Sequence, residues 1–119
     1  MSHNRFLGDH GEDIACHYLE ERGYRIVERQ WRAKGGEIDI VAQKNNVSIF
    51  VEVKTRRSTQ FGYPEEAVTS TKIAHFLRAV EWYRLTHRLT SPCRMDVIAI
   101  TYSGTTPQIR HIEDVTGGA

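Results

Sequence analysis

At 119 residues, with 39% apolar and 26% charged positions, the chain has the composition of one ordinary globular domain and is too short for two. No apolar run is long enough to span a bilayer or act as a secretion signal, so the expected address is the cytoplasm, with no membrane partner. The formal net charge of +1 says nothing of nucleic acid by itself, and Cys16 and Cys93, isolated and without Cys-x-x-Cys spacing, argue against a zinc cluster or a disulfide framework.

A first helix is expected from Gly8 or Asp9 to Arg22, with Ile14, Ala15, Tyr18 and Leu19 as its apolar stripe and Gly23 as its C-cap. Glu12 falls in its first turns, where the helix dipole favours an acid. Tyr24 to Trp31 alternates as a strand, and Ala33-Lys-Gly-Gly36 reads as a turn. Next come two strand-forming runs, Glu37–Ala42 and Val47–Lys54, joined at Asn45-Asn46. Asparagine tolerates positive φ, so a two-residue hairpin turn fits there. In that register Asp39 faces Glu52, Glu37 faces Lys54 and Val41 faces Phe50.

Directly opposed side chains stand about 5 Å apart at Cβ, and like charges that close are destabilising. A hard cation such as Mg²⁺ or Mn²⁺, which prefers carboxylate oxygens, would offset the repulsion between Asp39 and Glu52. Lys54 lies on the same strand face, one pleat beyond Glu52. Two carboxylates and a lysine so arranged are what phosphodiester hydrolysis needs: a metal to activate water and a cation to meet developing charge. The alternative is a solvated strand face with ordinary cross-strand pairing, in which Glu37 simply pairs with Lys54. Acids are disfavoured in strands, however, and these interrupt strongly apolar runs.

Basic residues flank this acidic pair. Arg22, Arg25, Arg29, Arg32 and Lys34 precede it against the single acid Glu28, and Arg56 and Arg57 follow. Such a distribution suits a polyanion whose scissile phosphate must reach a metal. Arg56 is the first choice as a phosphate-positioning residue, with Arg57 and Arg32 behind it. Ser58 to Pro64 reads as a polar loop. A second helix is expected from Thr69 to Arg88, with Ile73, Phe76, Leu77, Val80 and Tyr83 or Arg84 on its buried face. Lys72 in its first turn opposes the helix dipole, which hints at a phosphate contact. Trp82 is expected to pack or to form a dimer contact, and Trp31 is a candidate for base stacking. His3, His10 and His17 are evenly spaced, but metal binding would need more ligands, closer together.

Met95–Thr101 is a near-continuous apolar strand of the buried kind, running parallel to a neighbour after the helical crossover. Asp96 interrupts it and is expected in a structural ion pair, with Arg94 or another basic neighbour. Gln108–Ile112 is a short edge strand, and the tail from Thr116 is expected to fray. The domain is therefore expected to span 1–119, with its core at about 8–101 and a short strand and tail over 102–119. The class is α/β, or α+β by stricter bookkeeping: a small mixed sheet flanked by helices in the order αβββαββ.

Several blocks together carry a resemblance: Gly8-x-x-Gly11-Glu12-x-x-Ala15, Gly23-Tyr24, Trp31-Arg32, Gly36-Glu-Ile-Asp39, Phe50-Val-Glu-Val-Lys-Thr-Arg56, Glu66-Ala-Val68 with Lys72, and Arg94-x-Asp96-Val97. The chain resembles the YraN-like family of small bacterial predicted endonucleases, within the restriction-endonuclease-like PD-(D/E)xK superfamily. Gln30 stands where that family is expected to carry Asn, and Met95 where Phe is common. The resemblance implies a Mg²⁺- or Mn²⁺-dependent endonuclease acting on nucleic acid, with DNA and branched DNA favoured. It makes Asp39, Glu52 and Lys54 catalytic, with Asp39 and Glu52 also holding the metal. A similarity to archaeal Holliday-junction resolvases adds Glu12 to the metal site and makes a homodimer plausible. The competing expectation is a non-catalytic nucleic-acid-binding accessory module on the same scaffold.

Overall fold

The computed structural model describes residues 3–56 and 70–116, with side chains over 10–56 and 73–116. Its elements are helix α1 (His3–Glu21), strands β1 (Arg25–Ala33), β2 (Gly36–Lys44) and β3 (Val47–Arg56), helix α2 (Ser70–Thr86), and strands β4 (Cys93–Ser103) and β5 (Thr106–Ile112). The expected order αβββαββ is the observed one. Arg57, the Ser58–Pro64 loop and the Glu66–Val68 block lie outside the described residues, as do the Lys72 side chain and residues 117–119.

The strands form one mixed sheet in the order β1-β2-β3-β4-β5. β3 and β4 run parallel, as expected of strands joined by a helical crossover, and every other neighbouring pair is antiparallel. The β2–β3 hairpin has the expected register, from Lys44↔Val47 to Ile40↔Val51. Asn45 and Asn46 both take positive φ (52° and 67°), the conformation a two-residue turn with the strands' own twist requires.

α1 covers one face and α2 the other. Ala15, Cys16 and Leu19 of α1 pack with Ile40, Ala42, Ile49, Val51, Ile98 and Ile100. Phe76, Ala79, Val80 and Tyr83 of α2 pack with Ile38, Val41 and Phe50. Trp31 joins this second cluster as a partly buried residue, edge-on to Tyr83 with ring centroids 5.2 Å apart. Leu77 is not on the buried face; at 40% exposed it faces solvent, and Ala79 takes the core position instead. Trp82, expected to pack or to form a dimer contact, is 48% exposed and so does not belong to the core of this chain.

Helix boundaries differ from expectation for local reasons. α1 begins at His3 and continues through its glycines. At Gly11 an added Cβ would overlap Thr55 Oγ1, so this glycine serves close helix–strand packing and does not mark a start. α1 ends as expected at Gly23 (φ +87°), where the Tyr24 amide donates to the Leu19 carbonyl and the Gly23 amide to the Glu20 carbonyl. α2 closes in the same way before Arg88: Leu89 N–H donates to Arg84 O and Arg88 N–H to Leu85 O. Arg88, with φ 51°, occupies the position usually given to glycine, which is why the helix stops at Thr86.

Asp96 is fully buried at the β4–β5 end of the sheet. Burial opposes its charge, yet hydrogen bonds from His111, Arg94 and the Asp114 amide hold its carboxyl below the usual range. The expected structural ion pair is therefore present, at 2.8 Å to Arg94, with His111 at 2.7 Å. Val115 N–H also donates to Met95 O, so the segment after β5 is fastened to β4 up to that point.

Two outcomes follow for stability. Gly36→Ala brings a Cβ within 2.8 Å of the His75 carbonyl oxygen and 3.1 Å of Ala79 Cβ. It is expected to cost about 1–3 kcal/mol, seen as a lower denaturant midpoint with an unchanged slope. Arg94→Ala leaves the Asp96 carboxylate short of a partner and is expected to cost about 3 kcal/mol at neutral pH. Because the folded pKa of Asp96 is depressed, its stabilisation exists above the unfolded value and is lost on acidification. Acid unfolding of Arg94→Ala followed by circular dichroism should accordingly begin at higher pH than that of the parent.

Candidate active site

Asp39 sits where the sheet loses its regularity. The β2–β3 ladder ends at Ile40↔Val51, although Asp39 and Glu52 are next in the same register. In place of a ladder bond, the Val53 amide donates to Asp39 Oδ2 at 2.8 Å. On the other side of β2, pairing with β1 steps from Arg29↔Ile40 to Trp31↔Ile38, passing over Gln30 and Asp39. Gln30 takes φ 51°, the left-handed region that asparagine enters more readily than glutamine. The pleat registers the same break: Ile38 packs towards α2 and Ile40 towards α1, although two residues apart on a regular strand would share a face.

Glu52 and Lys54 have the parity of Phe50 and so belong to the α2 face. Lys54 Nζ lies 3.1 Å from Glu52 Oε1, both side chains being about three-quarters buried. They line a cleft of about 240 Å³ with Gly36, Glu37, His75 and Phe76. Glu37 does not pair with Lys54. It accepts from Arg32 Nε at 3.0 Å across the β1–β2 hairpin, where the register Arg32↔Glu37 opposes them.

Electrostatics single out Asp39. Its carboxyl is pushed up to about 7, first by burial, against the Val53 hydrogen bond that favours the charge, then by repulsion from Glu52, Glu37 and Glu12. Glu12, buried on α1, is held by β1: Oε1 accepts from Arg29 Nε at 3.0 Å and Oε2 from Gln30 Nε2 at 3.3 Å. For Glu12 to bind a cation it would have to exchange these bonds. Asp39 and Glu52 are thus the carboxylates best disposed to share one.

Among the described residues, no three His, Cys, Asp or Glu side chains converge as a ready ligand set. Hard oxygen donors from one or two carboxylates, completed by water and substrate phosphate, are nonetheless how Mg²⁺ is commonly held. The donor chemistry of Asp39 and Glu52 fits that pattern.

The expected basic flank is partly spent inside the fold. Arg29 binds Glu12 and, at 2.7 Å, Asp13; Arg22 lies over the Tyr18 ring at 3.7 Å; Arg32 holds Glu37. Arg32 remains well exposed and Arg56 is half-buried at the end of β3, so both stay available to a polyanion. His10 stacks on Tyr102 and His17 pairs with Glu21. Cys16 and Cys93 are free thiols, and burial raises the pKa of both, that of Cys16 to about 11.

Sequence reasoning missed His75, and the signal was faint. It immediately precedes the core residue Phe76, and Gly36 is the position that lets α2 approach closely enough to place it over the cleft. It also missed Gln30 as a conformational site.

The chain belongs to the uncharacterised protein family UPF0102, whose profile matches residues 11–100. It is similar to a UPF0102 protein of Rhodococcus opacus (strain B4), 48% identical over 116 residues covering 96% of this chain and 98% of that one. A UPF0102 protein of Geobacter metallireducens is 49% identical over 111 residues, covering 92% and 91%. One from Flavobacterium psychrophilum is 40% identical over 114 residues, covering 96% of each. The matched span holds Glu12, Asp39, Glu52, Lys54 and His75. No helix among the described residues is long and apolar enough to cross a membrane.

The raised pKa of Asp39 has a measurable consequence in the metal-free protein. A carboxyl whose folded pKa lies above its unfolded value stabilises the fold below about pH 4, and that contribution is lost as pH rises through about 7. Asp39→Asn retains an acceptor for the Val53 amide and carries no charge. It should remove this decline and exceed the parent by about 2 kcal/mol at pH 8, measured by urea titration across pH 4–8.

Proposed function

We propose that this protein is a Mg²⁺- or Mn²⁺-dependent endonuclease that hydrolyses phosphodiester bonds in nucleic acid. DNA, including branched DNA, is the favoured substrate, and the cytoplasm the site of action. The reading extends the YraN-like, PD-(D/E)xK resemblance, and one observation carries it. Asp39, fixed on the Val53 amide and forced towards neutrality by burial and then by neighbouring carboxylates, adjoins a cleft bearing the Glu52–Lys54 ion pair. A carboxylate group arranged at such electrostatic cost is one whose charged state awaits a cation.

Asp39 and Glu52 would hold the metal, which when bound supplies an activated water and shields charge on the phosphate. Lys54 stands beside Glu52, where its ammonium can orient the attacking water or donate to the phosphate oxygens as charge grows on them. Arg56 and Arg32 grip flanking phosphates, joined by Lys72 and Arg57. A domain this small recognises the shape of nucleic acid more than its sequence. Pairing of two copies would present two sites to two strands.

The test is cleavage of labelled single-stranded, duplex, flapped and four-way-junction DNA and of RNA, in Mn²⁺ and in EDTA. Cutting should require the metal, vanish in Asp39→Asn, and fall by about 10²–10³ in kcat in Lys54→Ala. Mn²⁺ should raise the melting temperature of the parent and leave that of Asp39→Asn unchanged. If parent and variant bind the panel equally and neither cuts, the protein is instead a binding module on a nuclease scaffold.

A further inference from the structure

We propose that His75 is a substrate-binding residue that donates a hydrogen bond to a nucleic-acid backbone phosphate across the cleft from Glu52 and Lys54. This inference rests on the nucleic-acid reading above and adds to it a second wall of the binding site.

Placement is the first argument. His75 lies on α2, exposed, and lines the same cleft as Glu37, Glu52 and Lys54. The packing that puts it there is close. A Cβ on Gly36 would stand 2.8 Å from the His75 carbonyl oxygen and 3.1 Å from Ala79 Cβ, so only glycine lets this turn of α2 settle onto the start of β2. Phe76 and Ala79, at 4% and 0% exposed, pin the same turn from below. The imidazole is therefore carried by a rigid element over a cleft it did not need to occupy for stability.

Charge is the second argument. The β-sheet wall of the cleft offers two glutamates and one lysine, and that lysine is already engaged with Glu52 at 3.1 Å. With Glu37 held by Arg32 and Lys54 by Glu52, this wall leaves few donors for the phosphate oxygens that a metal on the carboxylates would not reach, so donors are needed from the other side. Among the described residues lining the cleft, His75 is the side chain on the α2 wall able to donate one. Neutral or protonated, imidazole presents an N–H, so the contact does not depend on its charge. One turn further along α2, Arg78 sits with its Cδ over Gly35, extending the same rim with a cation. A rim of donors facing a carboxylate wall suits a backbone that runs through the cleft, with one phosphate at the carboxylates and the next on α2.

The experiment separates binding from cutting. In the non-cutting Asp39→Asn protein, affinity for fluorescein-labelled single-stranded and duplex DNA is measured by anisotropy in Mn²⁺, with and without His75→Ala or His75→Gln. His75→Ala should weaken binding by roughly tenfold to a hundredfold, the range for a hydrogen bond to a charged group. His75→Gln, which keeps a donor, should recover most of that loss. In the otherwise unaltered enzyme His75→Ala should raise KM with kcat little changed. Alanine at an exposed helical position leaves folding intact, which an unchanged melting temperature would verify.

Metal-dependent cutting by the parent, together with equal affinity of Asp39→Asn with and without His75→Ala, overturns the role of His75 and leaves the nuclease reading standing. Equal losses in the alanine and glutamine variants also overturn it, since the donor would then not matter. A parent that neither binds nor cuts overturns both.

Discussion

The structure turns on one hydrogen bond, from the Val53 amide to the Asp39 carboxylate. At that point the two central strands stop pairing through their backbones, and a side chain takes over from a carbonyl. An amide left unpaired inside a sheet is costly, so something must satisfy it. Asp39 does so at the price of bringing its own charge into a half-buried position. The irregular backbone of Gln30 on one side and the swap of faces between Ile38 and Ile40 on the other are the local accommodations of that substitution.

The electrostatics follow from this geometry. Once Asp39 is fixed by its amide partner it cannot swing away from the glutamates that repel it. Glu52 is partly relieved by Lys54, Glu37 by Arg32 and Glu12 by Arg29. For Asp39, burial and then the glutamates outweigh the Val53 hydrogen bond, and the proton is retained to about 7. Three glutamates with cationic partners around an aspartate with none among the described residues is an arrangement that stability alone would not select. The contrast with Asp96 is instructive. More deeply buried, it keeps its charge, because Arg94, His111 and a backbone amide converge on it. One acid is a finished structural joint and the other an unfinished one, and the proposed metal-holding role of Asp39 rests on that difference.

The two helices divide the labour. α1 brings Glu12 to β1 and seals one face through Gly11 on Thr55. α2 closes over the other face, where Gly36 admits it, and in doing so forms the far wall of the cleft. The site therefore lies between a sheet whose ladder has been locally opened and a helix held close by a missing side chain. Every described residue of the site, rim arginines included, is carried by a strand or a helix.

Much of this was legible in the sequence because it is local. Alternation and β-branched residues define β2 and β3, Asn45-Asn46 admits the turn and with it the register, and the order of elements implies a parallel β3–β4 pair. Gly23 announces a helix end by its conformational freedom. Register then brings Asp39 and Glu52 together and places Lys54 beside Glu52, all from spacing. What spacing does not encode is competition among partners distant in the chain. That Arg32 and not Lys54 takes Glu37, that Arg29 and Gln30 claim Glu12, and that His111 completes the Asp96 joint depend on which elements end up adjacent. Exposure is equally non-local: Leu77 and Trp82 carry the same hydrophobic character as Val80, and only the tilt of α2 on the sheet decides which are covered. Local propensity and period thus determined the elements and the carboxylate pair, while the protonation of Asp39, the cleft and the arrival of His75 were decided by tertiary packing, because burial and charge repulsion act through space and not along the chain.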